Sequence, residues 1–282
     1  MTSATASTAS ESSGIIAFIG GGNMASAIIG GLLKQGRPAR QIQIVEPWAE
    51  QRSKLAADFG ITAQAEPDAA LAAATLVVWA VKPQTFKQAA QQAGPHTGQA
   101  LHLSVAAGIR SGSIAGWLGS ERIVRAMPNT PALVGKGMTA LFARAAVNAA
   151  DRLAVERVIQ PTGEMLWLDK ETQLDAVTAL SGSGPAYVFY FLEAMVQAGS
   201  AMGLSREQAH QLAVQTFVGA SALAKASSEP PEILRERVTS KGGTTHAALT
   251  ALEQSGVKQH FMQAIQAANQ RAAELGDEYG SA

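Results

Sequence analysis

The chain has no cysteine. Disulfides, thiol catalysis and thiolate metal sites are therefore excluded. It has no surplus of either charge, since Lys+Arg and Asp+Glu are both 22. A nucleic-acid footprint needs a basic face, and this balance supplies none. No apolar run approaches the ~20 residues of a membrane-spanning helix. The five histidines are scattered and form no HExxH or similar spacing, so no metal is expected. Residues 1–13 are rich in Ser, Thr and Ala and contain no Lys or Arg. They lack the basic start and apolar centre of a signal peptide, which predicts a disordered tail on a cytoplasmic protein. What remains is 282 residues, 47% hydrophobic and 16% charged, enough for one large domain or two modest ones.

The stretch that organises the chain is GGGNMA at residues 20–25. Ahead of it runs the apolar IIAFI, which suits a strand buried on both faces. After it, Ile28, Ile29, Leu32 and Leu33 recur at helical spacing until Gly36 and Pro38. The glycines thus sit at a strand-to-helix turn, where a dinucleotide-binding loop needs them. Gly20 allows the tight turn, Gly22 lets a pyrophosphate approach the backbone, and Ala25 permits close helix–strand packing. N–H groups at the helix start then face the phosphates. A glycine turn without a ligand is the competing reading.

A second strand over 41–45 ends at Glu46, which lies 46 − 20 = 26 residues beyond Gly20. That is a little further than the ~20 usual for an acidic ligand of the ribose hydroxyl. Glu46 is either that ligand or a solvated loop carboxylate. It would favour NADH, while Arg52 and Lys54 on the next helix offset its charge toward a 2′-phosphate. A helix over 49–59 and a strand over 76–81 follow. Lys82 stands just past that strand, either as a site residue or as a surface lysine before a helix. The strand over 101–105 runs into Ala106, Ala107 and Gly108, small enough for a nicotinamide ring to lie near the backbone. Strand 123–127 leads to Pro128, Asn129, Thr130 and Pro131, a rigid loop with two hydrogen-bonding side chains. Strands over 138–142 and 164–168 flank a helix over 151–160. This alternation predicts a mostly parallel sheet.

Past Asp169 no strand is expected. Tyr187, Tyr190, Phe191, Ala194, Met195 and Ala198 keep helical spacing, and the helix is apolar almost all round. A segment of this size cannot cover such a helix alone, which predicts a helical dimer core. Ser205 with Gln208 forms a capping box. Pro230 and Pro231 break the chain, and helices follow Thr245 and Val257. The run SKGGTT at residues 240–245 precedes a helix over 247–255. Free N–H groups there suit an anion such as a substrate carboxylate, or the run is only a capped linker.

In this order the motifs resemble pyrroline-5-carboxylate reductases. The resemblance covers residues 16–275. It rests on IGGGNMA at 19–25, AVKP at 80–83, AAG at 106–108, PNTP at 128–131, SGSGPAY at 181–187 and GGTT at 242–245. It implies an α/β fold with an N-terminal Rossmann-like, mostly parallel sheet over 14–173. An all-α dimerisation and substrate domain over 174–282 follows. It implies reduction of pyrroline-5-carboxylate to L-proline with NADPH, NADH being possible, in homodimers often assembled into rings. The active site would combine the Rossmann domain of one subunit with the helical domain of another. Ile19, Gly21, Asn23, Met24, Ala80, Val81 and Pro83 join Gly20, Gly22, Glu46, Lys82, Ala106, Ala107 and Asn129 around the cofactor. Gly242, Gly243, Thr244, Ser181 and Lys82 would surround the substrate, with the hydroxyl of Thr245 on the imine nitrogen.

Three positions depart from the family pattern. Lys241 stands where proline is usual, His246 where an apolar residue is usual, and Pro67 where many members have asparagine. Two rival functions are weighed beside this one. A β-hydroxyacid dehydrogenase would need a lysine base on the long interdomain helix, and residues 183–203 contain none. A non-catalytic nucleotide-binding scaffold would have no reason to keep Thr245 or SGSGPAY.

Overall fold

The computed structural model describes residues 14–280, so the tail expected over 1–13 lies outside the described residues. The strands are β1 (Ile15–Ile19), β2 (Ile42–Val45), β3 (Ala74–Trp79), β4 (Leu101–Ser104), β5 (Ile123–Met127), β6 (Gly137–Ala143) and β7 (Gly163–Trp167). They form one sheet in the order β2-β1-β3-β4-β5-β6-β7. Every pairing is parallel except β5 with β6. The connection between those two holds only a 3-10 turn at Thr130–Val134. Without a crossover helix the chain has to run back beside β5.

The helices of this part are α1 (Asn23–Lys34), α2 (Ala49–Phe59), α3 (Pro83–Ala93), α4 (Ser111–Leu118), α5 (Ala149–Ile159) and α6 (Gln173–Val177). They cover both faces of the sheet. In β1, Ile16 and Phe18 face the cluster built on Ile28, Ile29, Leu32, Leu55, Val155 and Val158. Ala17 and Ile19 face the other, built on Trp79, Phe86, Ile109 and Ile114. Alternate residues of one strand therefore reach two separate cores, which is why the run is apolar without a period of two. In α1 the buried residues are Ala25, Ile28, Ile29 and Leu32, a helical stripe.

The expected strand over 76–81 lies two residues earlier in the structure, at Ala74–Trp79. Its length is set by its neighbour: Ala74 pairs with Ile15 and Trp79 with Ile19. Beyond Ile19 the chain turns at Gly20, so Ala80 keeps one last bond, donating its N–H to the Ile19 carbonyl at 2.8 Å. Val81 and Lys82 lie in the connection, and Pro83 opens α3 at a position whose N–H would be unused.

By contact density the chain divides after Gly182, and the first unit takes the chain up again from Asn269. The second unit, Ser183–Ala268, is helical. It holds α7 (Gly184–Ala201), α8 (Arg206–Ala226), α9 (Pro231–Arg237), α10 (Thr244–Gln254) and the first part of α11 (Val257–Gly280). The capping box forms as expected: the Ser205 hydroxyl accepts from Gln208 N–H at 3.1 Å, and the Gln208 side chain accepts from Ser205 N–H at 2.9 Å. No helix among the described residues is long and apolar enough to cross a membrane.

This helical unit does not close a core of its own. In α7 only Gly199 is buried, and in α8 only Ala209 and Ala213. Phe189, Tyr190, Leu212 and Leu223 remain 65%, 71%, 57% and 68% exposed. Burying each such side chain is worth about 1.5–3 kcal/mol. Sedimentation should therefore show a dimer or larger species at micromolar concentration. A stable, folded monomer would contradict this reading of α7 and α8.

Inside the sheet, His102 of β4 is fully buried, and Trp79 Nε1–H donates to its Nδ1 at 3.2 Å. Burial, with a smaller contribution from the Arg122 charge, pushes its pKa down from 6.5 to about 4. The unfolded chain takes up this proton near its ordinary value and the folded chain does not. Stability from this group is therefore full above pH ~6.5 and lost as pH falls toward ~4, up to about 3 kcal/mol. His102→Asn should flatten that part of the pH–stability curve. An unchanged acid slope would show that His102 is not its source.

Candidate functional site

The glycine turn lies where the carboxyl ends of β1, β2 and β3 meet. β1 is paired on one side with β2 and on the other with β3, so the connections diverge here. Such a switch point leaves a crevice at the strand ends. Gly20 has φ +94, and a Cβ there would stand 2.6 Å from the Ala80 carbonyl oxygen. Its N–H donates to the Val45 carbonyl at 2.8 Å. Only glycine fits this conformation and this approach. A Cβ on Gly21 would collide with Leu55 Cδ1 at 2.5 Å. Gly22 is different: a Cβ there meets nothing within 4 Å. Gly22 is the residue that opens α1, with Asn23 and Met24 in the first turn. The first-turn N–H groups have no carbonyl one turn back. The structure thus offers open space beside helical N–H donors, at the position a pyrophosphate requires.

Glu46 lies next to this turn and is 7% exposed. Its Oε2 accepts from Gly21 N–H at 2.8 Å and its Oε1 from Trp48 N–H at 2.9 Å. Arg52 Nη1 donates to the Glu46 and Pro47 carbonyls at 2.9 and 2.6 Å. Ala80 is half-buried beside β1, and Lys82 is exposed at the start of α3. Ala106 is buried and Ala107 half-buried in the loop after β4. Gly108 in that loop has φ +75, and a Cβ on it would touch Leu275 Cβ and Tyr279 Cδ2 at 3.3 Å. The end of α11 therefore packs on this loop, and Tyr279 Oη accepts from Gln84 Nε2 at 2.7 Å.

Asn129 and Ser181 come together although they are far apart in sequence. Asn129 Nδ2 donates to the Ser181 carbonyl and hydroxyl oxygens at 3.2 and 3.1 Å, and its Oδ1 accepts from Met138 N–H at 2.9 Å. Ser181 lies in a π-helical turn at Thr178–Gly182. Such turns interrupt regular helix bonding and recur at functional sites. No sequence pattern marked it.

The GGTT segment lies in the helical unit. Gly242 has φ +76, and α10 begins at Thr244, three residues ahead of the helix start expected at 247. Gly243 N–H donates to the Ser240 carbonyl at 3.0 Å, which closes the turn. The first-turn donors of α10 are then the N–H groups of Thr244 and Thr245, and the Thr245 side chain is half-buried. Lys241 and His246 are both exposed.

A charged network that the sequence reading missed stands beside the 106–108 loop. Arg125, 4% exposed in the middle of β5, pairs with Glu171 at 2.7 Å. Burial lowers the Arg125 pKa, against the hydrogen bond and charge of Glu171. Burial alone would raise the Glu171 carboxyl, but hydrogen bonds from the Ser111 hydroxyl and N–H and from Arg125 hold it below its usual range. Arg110 forms a pair with Asp175 of α6 at 2.8 Å. A Cβ on Gly276 of α11 would fall 2.6 Å from the Arg110 guanidinium. A lone arginine within the apolar strand IVRAM was the available signal, since a buried guanidinium requires a carboxylate.

A glycine turn at the switch point of a doubly wound sheet, followed by a helical unit, defines a dinucleotide-dependent oxidoreductase. Residues 15–108 match the family described as NADP oxidoreductase coenzyme F420-dependent, and residues 171–275 match pyrroline-5-carboxylate reductase dimerisation. The chain is 48% identical to the pyrroline-5-carboxylate reductase of Pseudomonas aeruginosa over 94% of its length and 98% of that protein's. Its fold is similar to a pyrroline-5-carboxylate reductase from Coxiella burnetii, with TM-score 0.85 and 36% identity over 93% and 98% of the two chains. It is also similar to the Plasmodium falciparum pyrroline carboxylate reductase with NADP bound, with TM-score 0.84 and 30% identity over 94% and 98%. The chain belongs to the pyrroline-5-carboxylate reductase family.

The free space at Gly22 gives a direct test. Gly22→Val should fold and assemble normally, because no protein atom meets the new Cβ. It should lose nucleotide binding, because the side chain fills the space beside the α1 start. Undiminished NADPH affinity in this variant would place the nucleotide elsewhere.

Proposed function

We propose that this chain reduces L-1-pyrroline-5-carboxylate to L-proline at the expense of NAD(P)H, closing proline synthesis. The observation that carries the reading is Thr245: a half-buried residue in the first turn of α10, three residues after Gly242 in left-handed conformation, in a chain of this family. When bound, NAD(P)H supplies the hydride that C5 of the ring receives.

The chain's own residues do the rest. Gly20 sets the turn, and the N–H groups from Gly22 to Met24 hold the pyrophosphate. Ala106 and Ala107 leave room for a flat ring. Asn129, fixed by Ser181 and by Met138 N–H, keeps its loop rigid. The N–H groups of Thr244 and Thr245 hold the substrate carboxylate, and Gly242 and Gly243 shape their turn. The Thr245 hydroxyl hydrogen-bonds the imine nitrogen and keeps the C=N carbon in line for hydride. The ring nitrogen carries a proton taken up from water before reduction, so the ring accepts hydride readily at C5 and the nitrogen is left as a neutral amine. Position and electrostatics of this kind account for much of such a rate.

NADPH, with NADH possible, is the nucleotide in this reading, supported by the NADP-bound Plasmodium falciparum relative. Residues 14–173 bind the nucleotide, and residues 174–282 assemble the dimer and bind substrate. A ring of dimers and a cytoplasmic setting belong to the same proposal. The β-hydroxyacid dehydrogenase reading fails on its base, because α7 carries no lysine.

Thr245→Ala should lower kcat/KM for the imine by roughly ten- to a hundredfold, the equivalent of one hydrogen bond to a charged group. Nucleotide affinity should stay unchanged, and Thr245→Ser should recover most activity. Thr244→Ala should matter less, since its backbone does the work. Full activity in Thr245→Ala with loss in Thr244→Ala would shift the register by one residue. Full activity in both would reduce this turn to a helix cap.

A further inference from the structure

The carboxylate after β2 does not face outward. Both oxygens of Glu46 accept main-chain N–H groups, one from Gly21 and one from Trp48. The carbonyl of Gly21 is also held from the same corner, by Gln51 Nε2 at 2.6 Å. Both polar main-chain groups of Gly21 are therefore fixed by side chains, one from the β2–α2 connection and one from the first turn of α2. That connection is itself anchored: Glu46 N–H donates to the Gln64 carbonyl and Gln64 N–H to the Ile44 carbonyl, each at 2.8 Å.

An acidic residue placed after β2 ordinarily reads the ribose hydroxyl and so discriminates against a 2′-phosphate. Glu46 stands further along the chain than that role requires and has its oxygens engaged inward. We propose that Glu46 is a positioning residue: it clamps the Gly21 peptide so that the following N–H groups stay aimed at the pyrophosphate, and it does not select between NADPH and NADH. The proposal rests on the reading above that the dinucleotide sits at this turn. The pyrophosphate is common to both nucleotides, so a weakened clamp weakens both by the same factor.

The test is calorimetric titration of NADPH and NADH into the wild-type dimer, Glu46→Gln, Gln51→Ala and Gly22→Val. Glu46→Gln keeps the shape but replaces one acceptor by an NH2 group that faces an N–H. Both dissociation constants should rise roughly tenfold, as for loss of one hydrogen bond to a charged acceptor, with their ratio unchanged. In steady state the loss should fall on the KM of both nucleotides and not on kcat. Gln51→Ala, at a partly exposed side chain of α2, should raise both constants by a smaller common factor, and it reads the clamp even if Glu46→Gln folds poorly. Loss of NADH affinity alone in Glu46→Gln, or tighter NADPH binding, would make Glu46 a ribose ligand and overturn the proposal. Unchanged affinities in both clamp variants would overturn it as well. Retained binding of both nucleotides in Gly22→Val would remove the nucleotide site and the proposal with it.

Discussion

The constraint on which the nucleotide end of the sheet depends is the approach of Gly20 to the carbonyl of Ala80. Two strands must end side by side for a crevice to open, and the chain must leave β1 at once to do so. A left-handed φ with no Cβ is the only local solution. Gly20 N–H reaches across to β2 while Ala80 N–H reaches back to β1, so three strands are tied at one point. From that knot the start of α1, the Gly22 opening and the connection into α3 all take their positions. The two cores on either face of the sheet then hold it still.

Much of this was legible in the chain. The apolar run before GGGNMA suited a strand buried on both faces, and of the helical stripe in Ile28, Ile29, Leu32 and Leu33 the first three are buried. Caps were equally readable, as with Ser205 and Gln208. Strand ends were less so, because they depend on a neighbour. β3 stops at Trp79 since β1 stops at Ile19, and nothing within residues 76–81 records that. The reversed direction of β6 was hidden for the same reason, for only a missing crossover helix reveals it. The start of α10 at Thr244 depends on the turn closed by Gly243 on Ser240, a contact too local for periodicity to register.

Polar side chains buried within the fold were the hardest to read. Glu46 looked like a ligand of ribose by type and place, yet its carboxylate points at Gly21. Arg125 sits in a strand as though misplaced, and only Glu171, brought in from the end of the sheet, explains it. Asn129 and Ser181 were separate motifs until the π-helical turn brought them within a hydrogen bond. Such pairs arise from tertiary placement, where desolvation makes an unpartnered group costly and so enforces a partner. The helical unit shows the same logic at larger scale: α7 and α8 leave Phe189, Tyr190 and Leu212 uncovered, in a part of the chain that matches a dimerisation family.

The central claim is that hydride moves from the nucleotide to the imine carbon under the hydroxyl of Thr245. Incubation with NADPH deuterated on the transferring face at C4, with pyrroline-5-carboxylate as the only acceptor, tests it most directly. The account predicts L-proline carrying one deuterium at C5, formed in step with NADPH loss. Proline without label, or NADPH left unconsumed, would contradict it.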